Sequence, residues 1–338
     1  MKNIPIVMLK CFFALMVAGL VLTACKRETP DTCIRDLELK LQFSLDFYRD
    51  TIITTYSGQW ADYDMRFIVD VYPDNVSVDP ATPASLRLGR WVQTMAAPPR
   101  GAHEVTINMP MPERKVNLLI WADFVRKGTQ TDLHYNTTNL GQVLVIRPYA
   151  NGLNPKDAFT AKYELNPPQL PGIPGVLTVP LETPFAKYKI ISGDVQKYIS
   201  EHPTPVQNLT SRVSYHLWIP FGYNVYSGEV NAAAEQIVYT SPMSEIKADS
   251  VVVASDYIFV SKSAAGSING ASANYDAQVL LNLVVGNGGT ITGVNDIAIP
   301  LRRGWMTIVK GDFLTVKTAG IGVDPNFDDE IIIILPDL

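Results

Sequence analysis

The sequence predicts an all-β protein made of two β-sandwich domains in tandem. Three observations support this prediction. Apolar and polar residues alternate through many short segments, helical periodicity is almost absent, and 24 prolines and 22 glycines interrupt the 338-residue chain at short intervals. Alternation with a period of two places the apolar side chains on one face of an extended strand. Frequent turn residues between such strands are typical of antiparallel sandwiches.

The first 24 residues contain an apolar segment led by lysines. Lys2 and Lys10 precede an uncharged core at residues 11–22, which is too short for a comfortable membrane span. This pattern predicts an export signal that is removed. The segment ends in Leu22-Thr23-Ala24-Cys25, which resembles the lipobox of bacterial lipoproteins. The resemblance implies that Cys25 becomes the first mature residue and is acylated, with residues 25–35 as a tether. The alternative is an ordinary secretory signal in which Cys25 is incidental.

The strands predicted for the first half begin with residues 36–47, where the alternation is clearest. Residues 66–72 and 105–109 alternate in the same way. Residues 116–124 form a mostly apolar run, which suits a central strand, and Trp121 within it is expected in the core. The first strand places on one face the side chains of Leu37, Leu39, Leu41, Phe43, Leu45 and Phe47.

The second half carries two further alternating segments and one helix candidate. Residues 213–221 alternate, which predicts one continuous strand. Residues 277–285 alternate and are followed by Gly286-Asn287-Gly288-Gly289, which predicts a hairpin with a positive-φ turn. Residues 194–201 are the helix candidate, with Asp194 as the capping residue and a stop at His202-Pro203.

A proline-rich connector divides the chain. Residues 166–175 contain four prolines, which remove backbone donors and favour an extended linker. We therefore expect an N-terminal sandwich at residues 36–165 and a C-terminal sandwich at residues 176–338.

Charge and motif content argue against several functions. The net charge is −5 and both signs are interspersed without a basic block, so we expect no nucleic-acid partner. The four histidines lie at least 14 residues apart and lack the spacing of a zinc-binding helix. No Gly-x-Ser-x-Gly nucleophile motif occurs. We expect a protein that is not an enzyme and that binds neither a metal nor a cofactor.

Several short motifs, in this order, resemble segments of the fimbrillin superfamily, whose members build type V pili in anaerobic gut and oral bacteria. Residues 181–190 are similar to the strand that opens the second domain in that superfamily. Trp121-Ala122-Asp123-Phe124 is similar to the middle of the first domain. The other similar segments are residues 132–137, 156–159, 303–315 and 322–328.

The resemblance implies two transthyretin-like, Greek-key sandwiches in a structural subunit or anchor of a lipoprotein-derived pilus. Such subunits assemble by β-strand addition and act in cell adhesion, so the expected partners are other pilin subunits, the outer membrane through the lipid on Cys25, and a host or glycan receptor. The expected location is the cell surface. In stalk members a protease cuts after an arginine beyond the first strand, which makes Arg49 the candidate cleavage residue; the alternative is a solvated charge at a strand end. The cut removes the first strand, which residues 36–47 match, and a strand of a neighbouring subunit then fills the exposed groove. The candidate strand-exchange residues in the first half are therefore Leu37, Leu39, Leu41, Phe43, Leu45 and Phe47. Anchor members instead keep the lipid and the first strand.

Two alternatives remain open at this stage. The β-branched run Ile331, Ile332, Ile333 and Ile334 either closes its own domain or is the strand donated to a neighbouring subunit. The alternative function is a surface glycan-binding lipoprotein, in which exposed aromatic residues such as Trp218 would stack against sugars.

Overall fold

The computed structural model describes residues 34–45, 60–99, 101–147, 149, 156–166, 175–216, 218–263, 277–315 and 331–334. Within these ranges the chain forms nineteen β-strands and one α-helix, so the all-β prediction is confirmed. The predicted export signal, Cys25, Phe47 and Arg49 lie outside the described residues.

The first half contains β1 (Ile34–Ser44), β2 (Tyr63–Pro73), β3 (Gly89–Ala96), β4 (Ala102–Pro112), β5 (Val116–Arg126), β6 (Tyr135–Asn136), β7 (Val143–Val145), β8 (Ala158–Leu165) and β9 (Gly175–Pro180). The second half contains β10 (Phe185–Ser192), the helix α1 (Val195–Glu201), β11 (Thr210–Tyr215), β12 (Ile219–Asn224), β13 (Glu229–Ala234), β14 (Val238–Pro242), β15 (Val251–Phe259), β16 (Ala277–Gly286), β17 (Thr290–Leu301), β18 (Met306–Gly311) and β19 (Ile331–Ile334).

These strands form five sheets. Sheet 1 has the strand order β4-β1-β9, and sheet 2 has the order β3-β2-β5-β8. Sheet 3 is β13-β12-β7-β6, sheet 4 is β15-β10-β18-β19, and sheet 5 is β14-β11-β16-β17. Neighbouring strands are antiparallel except for the parallel pairs β1-β9, β10-β18 and β18-β19.

The buried apolar side chains form three cores. In two of them, the buried residues are those that the alternation in the sequence places on one face of a strand. Sheets 1 and 2 enclose the first core, in which Leu39 and Phe67 are fully buried. Sheets 4 and 5 enclose the second core, in which Tyr188 and Leu281 are fully buried. Each sheet contributes every second residue of its strands, because successive side chains point to opposite faces.

A third core joins the two halves and was not predicted from the sequence. Ile68 and Trp121 point away from the first core and meet Phe185 and Phe259 of the second half. Sheet 3 closes this region by pairing β7 of the first half with β12 of the second half. Sheets 2 and 4 are therefore covered on both faces, which explains why β5 and β15 are buried along almost their whole length.

The strand after the proline-rich connector belongs to the first core. β9 pairs in parallel with β1, from Leu37 opposite Gly175 to Gln42 opposite Pro180. Leu177 and Val179 consequently pack in the first core. The sequence placed residues from 176 onwards in the C-terminal sandwich, whereas the structure places residues 175–181 against the N-terminal one. Composition marks the connector, but it does not show on which side the next strand packs.

The alternating segment 213–221 is two strands and not one. β11 ends at Tyr215 in sheet 5, and β12 begins at Ile219 in sheet 3. The apolar alternation continues across the break because Ile219 and Phe221 still pack against the second core. Alternation alone does not reveal a change of sheet.

The predicted helix is confirmed over Val195–Glu201, but Asp194 does not cap it with its side chain. The Asp194 carboxylate instead accepts hydrogen bonds from the backbone N–H groups of Leu314 (3.2 Å) and Thr315 (2.7 Å). Asp194 therefore attaches the start of α1 to the segment that follows β18. The predicted hairpin of β16 and β17 is also confirmed, with a positive φ of 71° at Gly288.

Candidate functional site

The candidate site is β1 and the two strands that enclose it. β1 pairs antiparallel with β4 along its whole length, from Ile34 opposite Pro112 to Ser44 opposite Ala102. On its other side it pairs in parallel with β9. Beyond the ladder, the Leu45 N–H donates to Gly101 O at 2.9 Å. The first described strand is thus the middle strand of sheet 1, between strands that come much later in the chain.

The inner face of β1 closes the first core. Phe43 lies with its ring centroid 5.6 Å from that of Phe67 and 5.5 Å from that of Phe159, which are on β2 and β8 of the opposite sheet. The buried side chains of this face are Leu37, Leu39, Leu41 and Phe43, together with Leu45 just past the end of β1, and none of them is more than 8% exposed. Five of the six apolar residues assigned to strand exchange on β1 are therefore in the core, and Phe47 lies outside the described residues.

The outer face of β1 is polar and partly exposed. The Lys40 ammonium lies 3.4 Å from the Glu38 carboxylate and 3.9 Å from the Glu104 carboxylate, and Gln42 donates to Glu104 at 2.9 Å. Exposed pairs of this kind contribute about 0–1 kcal/mol each. The two backbone ladders and the apolar inner face therefore hold β1 in place.

This arrangement can support strand exchange. Without β1, both β4 and β9 would expose unpaired backbone groups, and the apolar groove between them would be open to water. An extended segment with alternating apolar side chains would pair with the backbone groups of β4 and β9 and would fill the groove. In such binding, backbone hydrogen bonds supply affinity and alternate pockets set the register.

The second candidate segment for strand exchange lies elsewhere. Ile331, Ile332, Ile333 and Ile334 form β19, which pairs in parallel with β18 from Thr307 opposite Ile331 to Lys310 opposite Ile334. β19 is the edge strand of sheet 4, whereas β1 is the middle strand of sheet 1. The structure does not bring the two candidate segments together, and it places β19 in a sheet of its own chain.

A buried ionic cluster is the main polar feature that the sequence did not reveal. Asp256 Oδ2 accepts hydrogen bonds from the hydroxyls of Tyr149 (2.6 Å) and Tyr215 (2.9 Å). The Lys156 ammonium lies 3.4 Å from Asp256 Oδ1. Burial lowers the pKa of Lys156, although the attraction of Asp256 opposes this shift. Tyr149 and Lys156 belong to the first half, so the cluster connects the two halves.

The tyrosines of this cluster continue into the second core. The Tyr188 hydroxyl lies 2.7 Å from that of Tyr215 and 2.8 Å from that of Tyr239. Burial, followed by the charge of Asp256, raises the pKa of Tyr149 and Tyr215 well above its ordinary value. These hydroxyls therefore stay protonated and act as hydrogen-bond donors.

Arg66 links two of the motifs that carry the fimbrillin resemblance, at residues 121–124 and 132–137. Arg66 donates from Nε and Nη2 to Asp123 at 2.9 and 2.7 Å, and from Nη1 to Asp132 at 2.8 Å. Asp132 also accepts from the N–H of Thr137 at 3.0 Å. The segment at residues 132–137 is thus fixed against β2 and β5, which positions Tyr135 in the third core.

The described residues contain no group of three or more His, Cys, Asp or Glu side chains that could hold a metal ion. In the same ranges, no helix has both the length and the apolar character needed to cross a membrane. Trp121 is fully buried, as expected, while Trp218 is 39% exposed.

The fold and the site define an all-β protein whose first described strand is enclosed between two later strands of the same sheet. The chain belongs to DUF6562, described as a family of unknown function, whose model matches residues 31–336. No curated protein is similar enough in sequence to match it.

Fimbrial proteins are among the solved structures to which the chain is similar. The fimbrial anchor protein Mfa2 from Porphyromonas gingivalis is 12% identical, with 77% of this chain and 82% of that chain covered and a TM-score of 0.36. The tip fimbrial protein Mfa3 from the same organism is 14% identical, with 77% and 81% covered and a TM-score of 0.38. A fimbrial assembly protein from Parabacteroides distasonis is 12% identical, with 83% and 91% covered and a TM-score of 0.37. At these identities and scores the likeness does not assign a role to this chain.

Proposed function

We propose that this protein is a structural subunit or anchor of a pilus that assembles by β-strand addition, with a role in cell adhesion and without catalytic activity. The observation that carries the proposal is the position of β1, which is paired on both sides and seals the first core with five apolar side chains. The motif resemblance to the fimbrillin superfamily supports the same role.

In the proposed maturation, a protease cuts after Arg49 and separates the first strand, together with Cys25 and its lipid, from the rest of the chain. A strand of another subunit then fills the groove between β4 and β9. Burial of each apolar side chain stabilises the bound strand by about 1.5–3 kcal/mol. We therefore expect the cut strand to stay bound until a competing strand replaces it. An anchor would instead keep both the strand and the lipid.

Limited proteolysis tests the maturation step. An arginine-specific protease is expected to cut the native protein after Arg49 and to produce a new N-terminus at Asp50, whereas the Arg49→Ala variant is not cut there. The measurement is N-terminal sequencing together with intact mass. Wholesale degradation, or cutting only at other arginines, would remove the support for Arg49.

A peptide competition tests the groove itself. The cut protein is incubated in mild denaturant with a labelled peptide of residues 36–47, and binding is followed by fluorescence anisotropy. We expect the wild-type peptide to bind and a peptide carrying Leu39→Asp and Leu41→Asp to fail, because both side chains enter the first core. Equal binding of the two peptides would show that the groove does not select for apolar side chains at these positions.

We further propose that Cys25 is acylated and holds the protein at the outer membrane, facing the cell surface. The lipobox resemblance of Leu22-Thr23-Ala24-Cys25 supports this proposal. Metabolic labelling with palmitate is expected to mark the wild-type protein and not the Cys25→Ala variant. If both proteins are labelled equally, the lipid is attached to another residue. If neither protein is labelled, Cys25 is not acylated.

A further inference from the structure

A cleft of about 410 Å³ opens where the two halves of the molecule meet. Its walls are β8, the end of β9, the turn between β12 and β13, and the segments after β15 and β17. The volume is typical of sites that take small ligands. The side chains important for its chemistry are Lys162, Tyr163, Glu182, Tyr226, Lys262 and Arg303.

Arg303 is held in a defined orientation at this cleft. Its Nε donates to Thr183 O at 2.8 Å, and its Nη1 donates to the Tyr223 hydroxyl at 3.0 Å. Its Nη2 lies 3.6 Å from Glu182 Oε2, and the side chain is 13% exposed. A guanidinium oriented in this way by its neighbours is suited to bind an anion without further ordering.

Glu182 is the carboxylate within the cleft that neutralises these cations. Its Oε2 also lies 3.2 Å from the ammonium of Lys262, and both side chains are more than half exposed. The exposed Glu182–Lys262 pair contributes about 0–1 kcal/mol, so a ligand anion can displace Glu182 from Lys262 at little cost. The cleft is lined by three cations, Lys162, Lys262 and Arg303, and by one carboxylate, while Glu164 outside the lining pairs with Lys162. Glu229, which follows the lining residue Gly228 and accepts hydrogen bonds from Ser263, is a further carboxylate close to the cleft. The groups that can receive an anion are therefore Lys262 and Arg303, once Glu182 is displaced.

Tyrosine rings give the cleft its apolar surface. Tyr163 is among the exposed large side chains, and Tyr226 is half-buried with the Lys162 ammonium 4.1 Å from its ring centroid. A sugar ring has an apolar C–H face that packs on aromatic rings and hydroxyl groups that need hydrogen-bond partners. Aromatic surface with a few placed charges is the composition of a small-ligand site.

We propose that this cleft binds an acidic saccharide. Arg303 and Lys262 hold the carboxylate or sulfate of the sugar, and the sugar ring packs against Tyr163 or Tyr226. The inference goes beyond strand addition and does not depend on it, because neither β1 nor β19 lines the cleft.

Isothermal titration calorimetry of the purified protein tests the proposal with three probes. Trigalacturonate carries carboxylates, galactose 6-sulfate carries a sulfate, and galactotriose is neutral. We expect at least one of the two anionic probes to bind and galactotriose to bind at least tenfold more weakly. The anionic probe that binds identifies the group. Absence of binding by both anionic probes, or equal binding of the neutral one, overturns the proposal.

Variants of the exposed residues place the binding in this cleft. Lys262→Ala is expected to weaken binding of the anionic probe by about two- to fivefold, because an exposed charge pair contributes up to about 1 kcal/mol. Glu182→Gln is expected to tighten binding, because it removes the competing carboxylate. Lys127→Ala, a matched exposed lysine outside the cleft, is expected to bind as the wild type does. Equal effects of Lys262→Ala and Lys127→Ala, or weaker binding by Glu182→Gln, contradict the assignment. Binding of the pentapeptide Gly-Asp-Gly-Asp-Gly as tight as that of the saccharide would show a protein ligand instead.

Discussion

Asp256 is one of the residues at which polar groups of the two halves meet. Asp256 is fully buried and accepts hydrogen bonds from two tyrosine hydroxyls. It also pairs with Lys156, which is 4% exposed. Removing one partner of a buried pair leaves an uncompensated charge, and this costs more than the pair contributes. The cluster is therefore sensitive to single substitutions.

We expect Asp256→Asn to lower the free energy of unfolding by about 3–5 kcal/mol, because the Lys156 ammonium would lose its buried carboxylate. Urea unfolding measures the change. The double variant Asp256→Asn/Lys156→Met should recover part of the loss, and Asp249→Asn, at an exposed position, should change stability by less than about 0.5 kcal/mol. A loss in Asp256→Asn no larger than in Asp249→Asn would contradict the role of the cluster.

His134 makes stability depend on pH. Burial, and then the charges of Lys156 and Arg126, lower its pKa from 6.5 to about 4. The unfolded chain therefore takes up the proton first as the pH falls. As a result, the free energy of unfolding does not change with His134 protonation above pH 6.5, and it falls as the pH decreases from 6.5 to 4. The total decrease is about 3 kcal/mol.

The His134→Gln variant should lose this part of the pH dependence, whereas His216→Gln, at an exposed position, should keep it. The measurement is the free energy of unfolding in urea at several pH values between 4 and 7. Parallel curves for wild type and His134→Gln would show that His134 does not titrate with the lowered pKa.

At the scale of elements, β1 shows how one strand combines two kinds of surface. Leu39 is fully buried, and its neighbour Lys40 faces partly exposed carboxylates. We expect Leu39→Ala to lower the free energy of unfolding by about 2–5 kcal/mol and Lys40→Ala by less than about 1 kcal/mol. Thermal and urea unfolding compare the two variants. Similar losses would mean that the inner face of β1 does not close the core.

β19 either completes sheet 4 of its own chain or is a strand that is donated to a neighbouring subunit. Its pairing with β18 indicates that removal of residues 330–338 will expose the edge of β18. We expect such a truncation to lose roughly 2 kcal/mol or more of stability, from the lost ladder hydrogen bonds, and to self-associate. Circular dichroism melting and size-exclusion chromatography are the measurements.

A shorter truncation of residues 335–338, which retains β19, is the matched control and should behave as the full chain does. If the longer truncation is as stable and monomeric as the control but no longer assembles, β19 is a donor strand.

At the scale of the whole molecule, the third core contains residues of both halves of the chain. Phe259 stacks on Phe185 with a centroid distance of 4.6 Å and on Tyr223 at 5.5 Å, and it lies 6.4 Å from Trp121. Because residues of both halves surround this ring, its packing energy is shared between them.

We expect the wild-type protein to unfold in one transition. Phe259→Ala should lower stability by about 3–5 kcal/mol and separate the unfolding of the two sandwiches, because each keeps a core of its own. Differential scanning calorimetry detects the separation. Trp218→Ala removes an exposed aromatic ring and should leave one transition. Two transitions in the wild type would show that the third core does not couple the halves.

The sequence alone determined where β1, β2, β4 and β16 lie and which of their faces are apolar. The alternation on β1, the hairpin of β16 and β17, and the helix at Val195–Glu201 were all predictable, because periodicity and turn residues act locally. The tertiary structure decided which strands are neighbours. The pairing of β9 with β1, the break between β11 and β12, and the meeting of Trp121 with Phe259 depend on contacts between residues far apart in the chain. Alternation specifies which face of a strand is buried, but it does not specify what covers that face.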